Sequence, residues 1–255
     1  MKKWLFLFCI VVMFEAVCII YLYTGKVQHN TVGGSVDEKV LFQNTADRSD
    51  SGVEEVSEEQ AGKTKKSKKM LKKYASLFNK NSDMVGYIYL NSSYSFPVLQ
   101  RKSDQNFYSD HDFNGQSSIE GSIFANRHTE LGEPGISVIY GHRLKSGSMF
   151  SSLKYYVDDK EYIKNNKVIS INTLYEKSSY SLVAVALVSL NDGFDYYKYA
   201  GGVTESEFEE WKKYLGKKCI RGSLDSLGYG DVVAELSTCS YHTDKGREIV
   251  IFRKL

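Results

Sequence analysis

From about residue 85 onward the apolar residues fall in short runs, at 85–90, 96–99, 121–125, 136–140, 168–171, 181–190, 232–236 and 249–252. Turn signals at Asn91-Ser92-Ser93, Asn114-Gly115 and Asn191-Asp192-Gly193 separate several of them. Most of these runs are too short for packed helices, and they do not alternate strictly with helical segments, so they predict a mainly β fold closed or nearly closed into a barrel. With 19 Tyr and 13 Phe against only 2 Pro, the composition favours pleated strands over a helical bundle. Two peripheral helices are expected. One spans 149–156, and the other begins at Thr204, where Thr204 and Glu207 form a capping box, and stops before Gly216. No internal repeat is present.

The N-terminal part reads differently. Lys2 and Lys3 precede an apolar run at 4–23 interrupted only by Glu15, and about 20 such residues cross a bilayer. The expectation is a single transmembrane helix with residues 1–3 inside and the rest of the chain outside the cell. A cleaved signal peptide is the rival, but its apolar stretch is shorter and no small-x-small cleavage site follows. Residues 24–64 are polar and poor in aromatic residues, which predicts a flexible spacer with a reach on the order of 35 Å. An outer domain then occupies 65–255, opening with a helix at about 65–81. In that helix Met70, Leu71, Tyr74, Leu77 and Phe78 recur at helical spacing beside a cluster that includes Lys68, Lys69, Lys72 and Lys73. Such a cluster suits either a solvated helix face or contact with anionic membrane or wall polymer.

A net charge of +2 selects no partner class. The sequence has no Gly-rich phosphate loop, no zinc-ligand spacing and no aromatic-basic nucleic-acid pattern, and its acidic residues are scattered. No cofactor, metal or nucleic acid is therefore implied.

The chemistry concentrates in the last twenty residues. The runs at 232–236 and 249–252 flank a polar segment containing Asp244, Lys245 and Gly246, the pattern of an antiparallel hairpin. With the turn centred near Thr243, Cys239 and Arg247 become cross-strand neighbours. A fixed cation beside a thiol favours the thiolate, which is the nucleophile, and a guanidinium can also hold an oxyanion. The plainer alternative is a buried structural cysteine beside a solvated arginine. Outside the membrane, a disulfide between Cys219 and Cys239 is a further alternative, since Cys9 and Cys18 lie in the apolar run. That bond would make the outer region a non-catalytic, tethered β-domain.

A cysteine nucleophile works with a histidine near in space. His29 falls in the spacer, and His111 and His128 fall in polar loops. His242 lies three residues from Cys239, which on an extended strand puts the two on opposite faces unless the turn intervenes. His142 follows the strand at 136–140 through Gly141, at a strand end where sites are commonly built. The spacing favours His142 and leaves His242 open.

The segment ELSTCSY, with Arg247 eight residues past Cys239, resembles the signature of sortases, the cysteine transpeptidases of Gram-positive cell surfaces. Ser137 to His142, Gly147-Ser148-Met149-Phe150 and Leu153 to Tyr156 resemble the histidine region of class B sortases. So do Phe96 to Gln100, Tyr108 with His111-Asp112-Phe113, and Gly121 to Phe124. The similarity covers roughly residues 70–255. It implies a sortase β-barrel with Cys239 as nucleophile, His142 as general acid and base, and Arg247 as oxyanion support. Ser237, Thr238 and Tyr140 are implied as substrate-groove residues. The implied function is joining secreted surface proteins, cut at a sorting motif, to an amine of cell-wall peptidoglycan through a thioacyl-enzyme. A surface cysteine peptidase with water as acceptor is the alternative chemistry. The substrate-facing loops, such as the tyrosine-dense 191–202, depart most from the family pattern.

Overall fold

The computed structural model describes residues 68–255. The expected anchor, the spacer and the start of the lysine cluster lie outside the described residues. Among the described residues, no helix is long and apolar enough to cross a membrane.

Among the described residues, nine strands form one sheet: β1 Met84–Tyr89, β2 Ser95–Leu99, β3 Phe124–Ala125, β4 Gly135–Tyr140, β5 Val168–Thr173, β6 Ser179–Ser189, β7 Cys219–Gly222, β8 Val232–Cys239 and β9 Gly246–Lys254. Their order is β5-β1-β2-β3-β4-β8-β9-β6-β7, and β5 also pairs with β6. Eight strands thus close on themselves, and β7 extends the sheet from β6. Closure removes the free sheet edges that would otherwise invite pairing with other chains.

Strand alternation sorts the side chains into two cores. Along β9, Val250 and Phe252 point into the barrel with Ala234 and Leu236 of β8, while Ile249 and Ile251 point outward with Val233. The outward layer is covered by α4 Glu205–Gly216, which buries Phe208, Trp211 and Leu215 at helical spacing. Its Thr204 hydroxyl accepts from the Glu207 amide at 3.3 Å, and the Glu207 carboxylate accepts from the Thr204 amide at 2.8 Å. The capping box is as expected, but the helix runs through Gly216 instead of stopping before it. Trp211 has no exposed surface, and deleting a buried side chain of this size typically costs about 3–5 kcal/mol.

A third cluster seats the first helix. α1 Lys72–Lys80 packs Tyr74 and Leu77 against Met84, Tyr87, Leu99, Tyr108 and Leu174. It is shorter than the expected 65–81, because Leu71 is extended and donates its amide to Leu174 O at 2.8 Å, which pins the chain to the barrel before the helix begins.

The expected strand at 121–125 contracts to two residues because Gly121 has a positive φ of 59° and turns the chain. The helix expected at 149–156 is a 3₁₀ segment, Phe150–Lys154, followed by a single α-helical turn, α2 Tyr155–Asp158. A further helix, α3 Lys160–Asn166, has no counterpart in the expectations; it buries no residue fully and so carries no apolar stripe. The strand β7 was likewise not anticipated, its four residues CIRG being short and only half-buried on one side.

Candidate active site

Among the described residues, the parallel pairing of the two long strands β4 and β8 sets the site. β4 and β8 run side by side with Tyr140 opposite Ser237, and Gly141 N donates to Ser237 O at 3.2 Å. Parallel strands end at the same rim, so His142 and Cys239, each two residues beyond that pair, emerge at one level. β9 then returns antiparallel to β8 with Arg247 opposite Cys239. Nucleophile candidate, histidine and arginine therefore stand on three adjacent strand ends.

They share a cleft of about 330 Å³, lined also by Gln105, Asn106, Ser109, Phe124, Asn126, Tyr140, Gly141, Leu190, Tyr197, Ser237 and Thr238. All six residues singled out from the sequence are brought together there. Cys239, His142 and Arg247 are each half-buried. His142 Nε2 lies 2.6 Å from Ser109 O. A carbonyl oxygen only accepts, so Nε2 carries a hydrogen and Nδ1 is left as the nitrogen that exchanges a proton.

Arg247 donates from Nη1 to Gly246 O at 2.9 Å, which fixes its guanidinium above the hairpin. Burial disfavours its charge, but Tyr197 and Cys239 beside it outweigh that cost, and its pKa lies above the ordinary arginine value. Arg247 is thus a permanent cation facing the thiol.

Tyr140 accepts at its hydroxyl from Asn126 Nδ2 at 2.9 Å, and its ring lies 5.1 Å from Phe124 and 5.2 Å from Tyr197. Burial pushes its phenol far above the usual value, with Asn126 opposing, so it remains a neutral wall of the cleft. Ser237 and Thr238 are buried. The Thr238 hydroxyl donates to Gly141 O at 2.7 Å, and Ser237 Oγ lies 3.0 Å from the Tyr196 hydroxyl. Their hydroxyls brace the cleft floor from below.

His242 takes the other side of the hairpin, where it lines a separate cavity with Ser240 and Glu248 and pairs with Ser240 Oγ at 2.9 Å. Strand alternation thus leaves only His142 of the two in the cleft with Cys239, and the turn does not bring His242 back. His111 stacks on Phe107 at 3.9 Å and lies 2.8 Å from Phe107 O. Cys219 and Cys239 are both free thiols. β9 and β6 lie between their strands, a separation of about 14 Å at the usual strand spacing, beyond disulfide reach.

Leu190, Asn126, Gln105 and Asn106 line the cleft without having stood out in the sequence, because single polar or apolar loop residues carry no spacing signal. Tyr197 belongs to the tyrosine-dense loop that the sequence does flag.

No family model matches the chain. Sortase B of Listeria monocytogenes is 29% identical over 176 residues, covering 67% of this chain and 69% of that protein. Sortase B of Staphylococcus aureus is 25% identical over 185 residues, covering 71% and 74%. Among solved structures, Clostridium perfringens sortase B superposes with a TM-score of 0.62 at 26% identity, covering 71% of this chain and 98% of that one. A Staphylococcus aureus sortase B–substrate complex shares the fold with a TM-score of 0.63 at 24% identity, covering 73% of this chain and 86% of that one. Two sequence relatives matched over most of their length, an eight-strand barrel of the same architecture, and a cysteine, a histidine and an arginine converging on one cleft support a class B sortase, a cysteine transpeptidase.

Proposed function

We propose that Cys239 is the nucleophile, His142 the proton carrier and Arg247 the oxyanion partner of a transpeptidase that attaches secreted proteins to the cell wall. The observation that carries this reading is the cross-strand pairing of Cys239 with Arg247, with His142 at the end of the neighbouring strand. The Cys239 thiolate attacks the carbonyl of a peptide bond in a sorting motif, and the Arg247 guanidinium balances the negative charge that develops on the oxygen. The C–N bond breaks as protonated His142 gives its Nδ1 proton to the leaving amine, and a thioester to Cys239 remains. An amine of peptidoglycan then attacks that thioester and passes a proton to His142, and the Cys239 thiolate leaves. A similar fold, Staphylococcus aureus sortase B, is solved as a substrate complex, which supports a bound substrate as the first partner.

Ser237, Thr238 and Tyr140 form the floor and wall that hold the acyl segment. The apolar run at 4–23 anchors the protein in the cell membrane with its N-terminus inside, and residues 24–64 act as the tether to the extracellular domain at 65–255.

Incubating the full chain with a peptide library, with and without an added amine, tests the reading by product analysis. Amine-capped acyl products that require Cys239 support it. Hydrolysis products alone, unchanged by any amine, indicate a peptidase instead.

A further inference from the structure

Behind the cleft, on the opposite face of the β8–β9 hairpin, lies a carboxyl group in an unfavourable setting. Glu248 has no exposed surface, and neither of its oxygens has a hydrogen-bond partner. Its nearest cation is Arg143, whose Nη1 is 3.5 Å from Glu248 Oε2. Burial pushes the Glu248 carboxyl up to about 7, Arg143 pulls it down, and Asp158 adds to the rise. The cavity on this face, about 340 Å³, is lined by Arg143, Lys154, Asp158, Ser240, His242 and Glu248.

The chain positions of the two partners give the pair its meaning. Arg143 directly follows His142, and Glu248 directly follows Arg247. Strand alternation turns Arg247 into the cleft and Glu248 away from it. The end of β8, which carries Cys239, lies between the two segments. Other contacts hold the histidine segment to β8, to a neighbouring loop or within its own loop: Gly141 N to Ser237 O at 3.2 Å, Thr238 Oγ1 to Gly141 O at 2.7 Å, His142 Nε2 to Ser109 O at 2.6 Å, and Phe150 N to His142 O at 3.0 Å. None of these reaches β9, whereas the Arg143–Glu248 pair does.

We infer that Arg143 and Glu248 are positioning residues, an ion pair behind the cleft that fixes the segment bearing His142 against the strand bearing Arg247, with Cys239 held between them. Stability does not account for the pair, because a buried carboxylate with a single partner is commonly no better than an apolar side chain of similar size. Geometry does, since displacement of a reacting group by about 1 Å costs up to about a hundredfold in rate. The inference rests on the reading of Cys239, His142 and Arg247 as the reacting groups.

The test measures kcat and KM for thioester formation, together with Tm, on the full chain and its variants Glu248→Leu, Arg143→Met and the double replacement. The expected result is a fall in kcat of about tenfold with KM held within about twofold, and the same fall in the double variant as in either single one. The Tm of Glu248→Leu is expected to equal or exceed that of the unaltered chain. Unchanged kcat, losses that multiply in the double variant, or a kcat loss that tracks a lowered Tm would each overturn the inference. Should Glu248→Leu not fold, Arg143→Met, at a partly exposed position, carries the same kcat, KM and Tm criteria. Absence of any thioester on the unaltered chain would instead count against the assignment of Cys239, a separate failure.

Discussion

His142 donates from Nε2 to the carbonyl oxygen of Ser109 at 2.6 Å, so a main-chain group on a neighbouring loop fixes both the orientation and the tautomer of the ring. That carbonyl rests against Gly121. A Cβ at position 121 would come 2.6 Å from Ser109 O and 2.7 Å from Tyr108 O, and the residue has a φ of 59°, which disfavours any side chain. Gly121→Ala is therefore expected to displace the carbonyl and release the imidazole. Thioester formation should fall by about tenfold or more, and the His142 ring signals in NMR should shift. An unaltered ring environment would separate Gly121 from the histidine.

Gly141 joins β4 to His142 where there is no room for a side chain. A Cβ there would overlap Ile123 Cδ1 and come 2.8 Å from the Phe150 ring. Gly141→Ala is expected to cost about 1–3 kcal/mol, as overpacking does, and to lower activity by more than the stability loss explains. Urea unfolding combined with acylation kinetics checks both parts.

Arg247 is the permanent cation of the cleft. Arg247→Ala should lower kcat by about 10²–10³-fold, the usual consequence of removing an oxyanion partner. Arg247→Lys should recover only part of that loss, because an ammonium lacks the planar fork. Full activity in Arg247→Lys would reduce the role to charge alone.

Glu235 sits fully buried beneath the cleft, accepting from Trp211 Nε1 at 2.8 Å while its other oxygen has no partner. Burial raises its carboxyl to about 8, with Trp211 opposing. The folded protein thus holds this proton more tightly than the unfolded chain does. The resulting stability is full below the ordinary carboxylate range and is lost as pH rises toward about 8, on the order of 5 kcal/mol at the alkaline end. Tm should therefore fall between about pH 5 and about pH 9. Glu235→Gln, which can still accept from Trp211, should show a shallower fall, retaining the part due to Glu248, whose carboxyl is also raised. Equal slopes in the two proteins would contradict this assignment.

Much of this arrangement was legible in the sequence because it depends on short-range chemistry. The hairpin pairing of Cys239 with Arg247 follows from equal distance to one turn, and the Thr204–Glu207 cap from a four-residue pattern. The choice of His142 over His242 rests on strand alternation and on family resemblance, and His242 lines a separate cavity behind the hairpin. What remained hidden depends on contacts distant in sequence. The parallel β4–β8 register joins segments nearly a hundred residues apart, and the Arg143–Glu248 pair reads as two unrelated surface charges until that register is known. Helix α3 escaped notice because only Tyr162 and Ile163 of it pack on the barrel core and neither is fully buried, and the early end of the strand at 121–125 because Gly121 turns the chain toward Ser109.

The role of Cys239 as nucleophile is read most directly from the intact mass of the full chain after incubation with peptides bearing candidate sorting motifs. The expected result is a mass gain equal to the N-terminal acyl part of one peptide, removed by hydroxylamine and absent from Cys239→Ala. An acyl adduct that persists in Cys239→Ala, or transpeptidation by that variant at an undiminished rate, would contradict it.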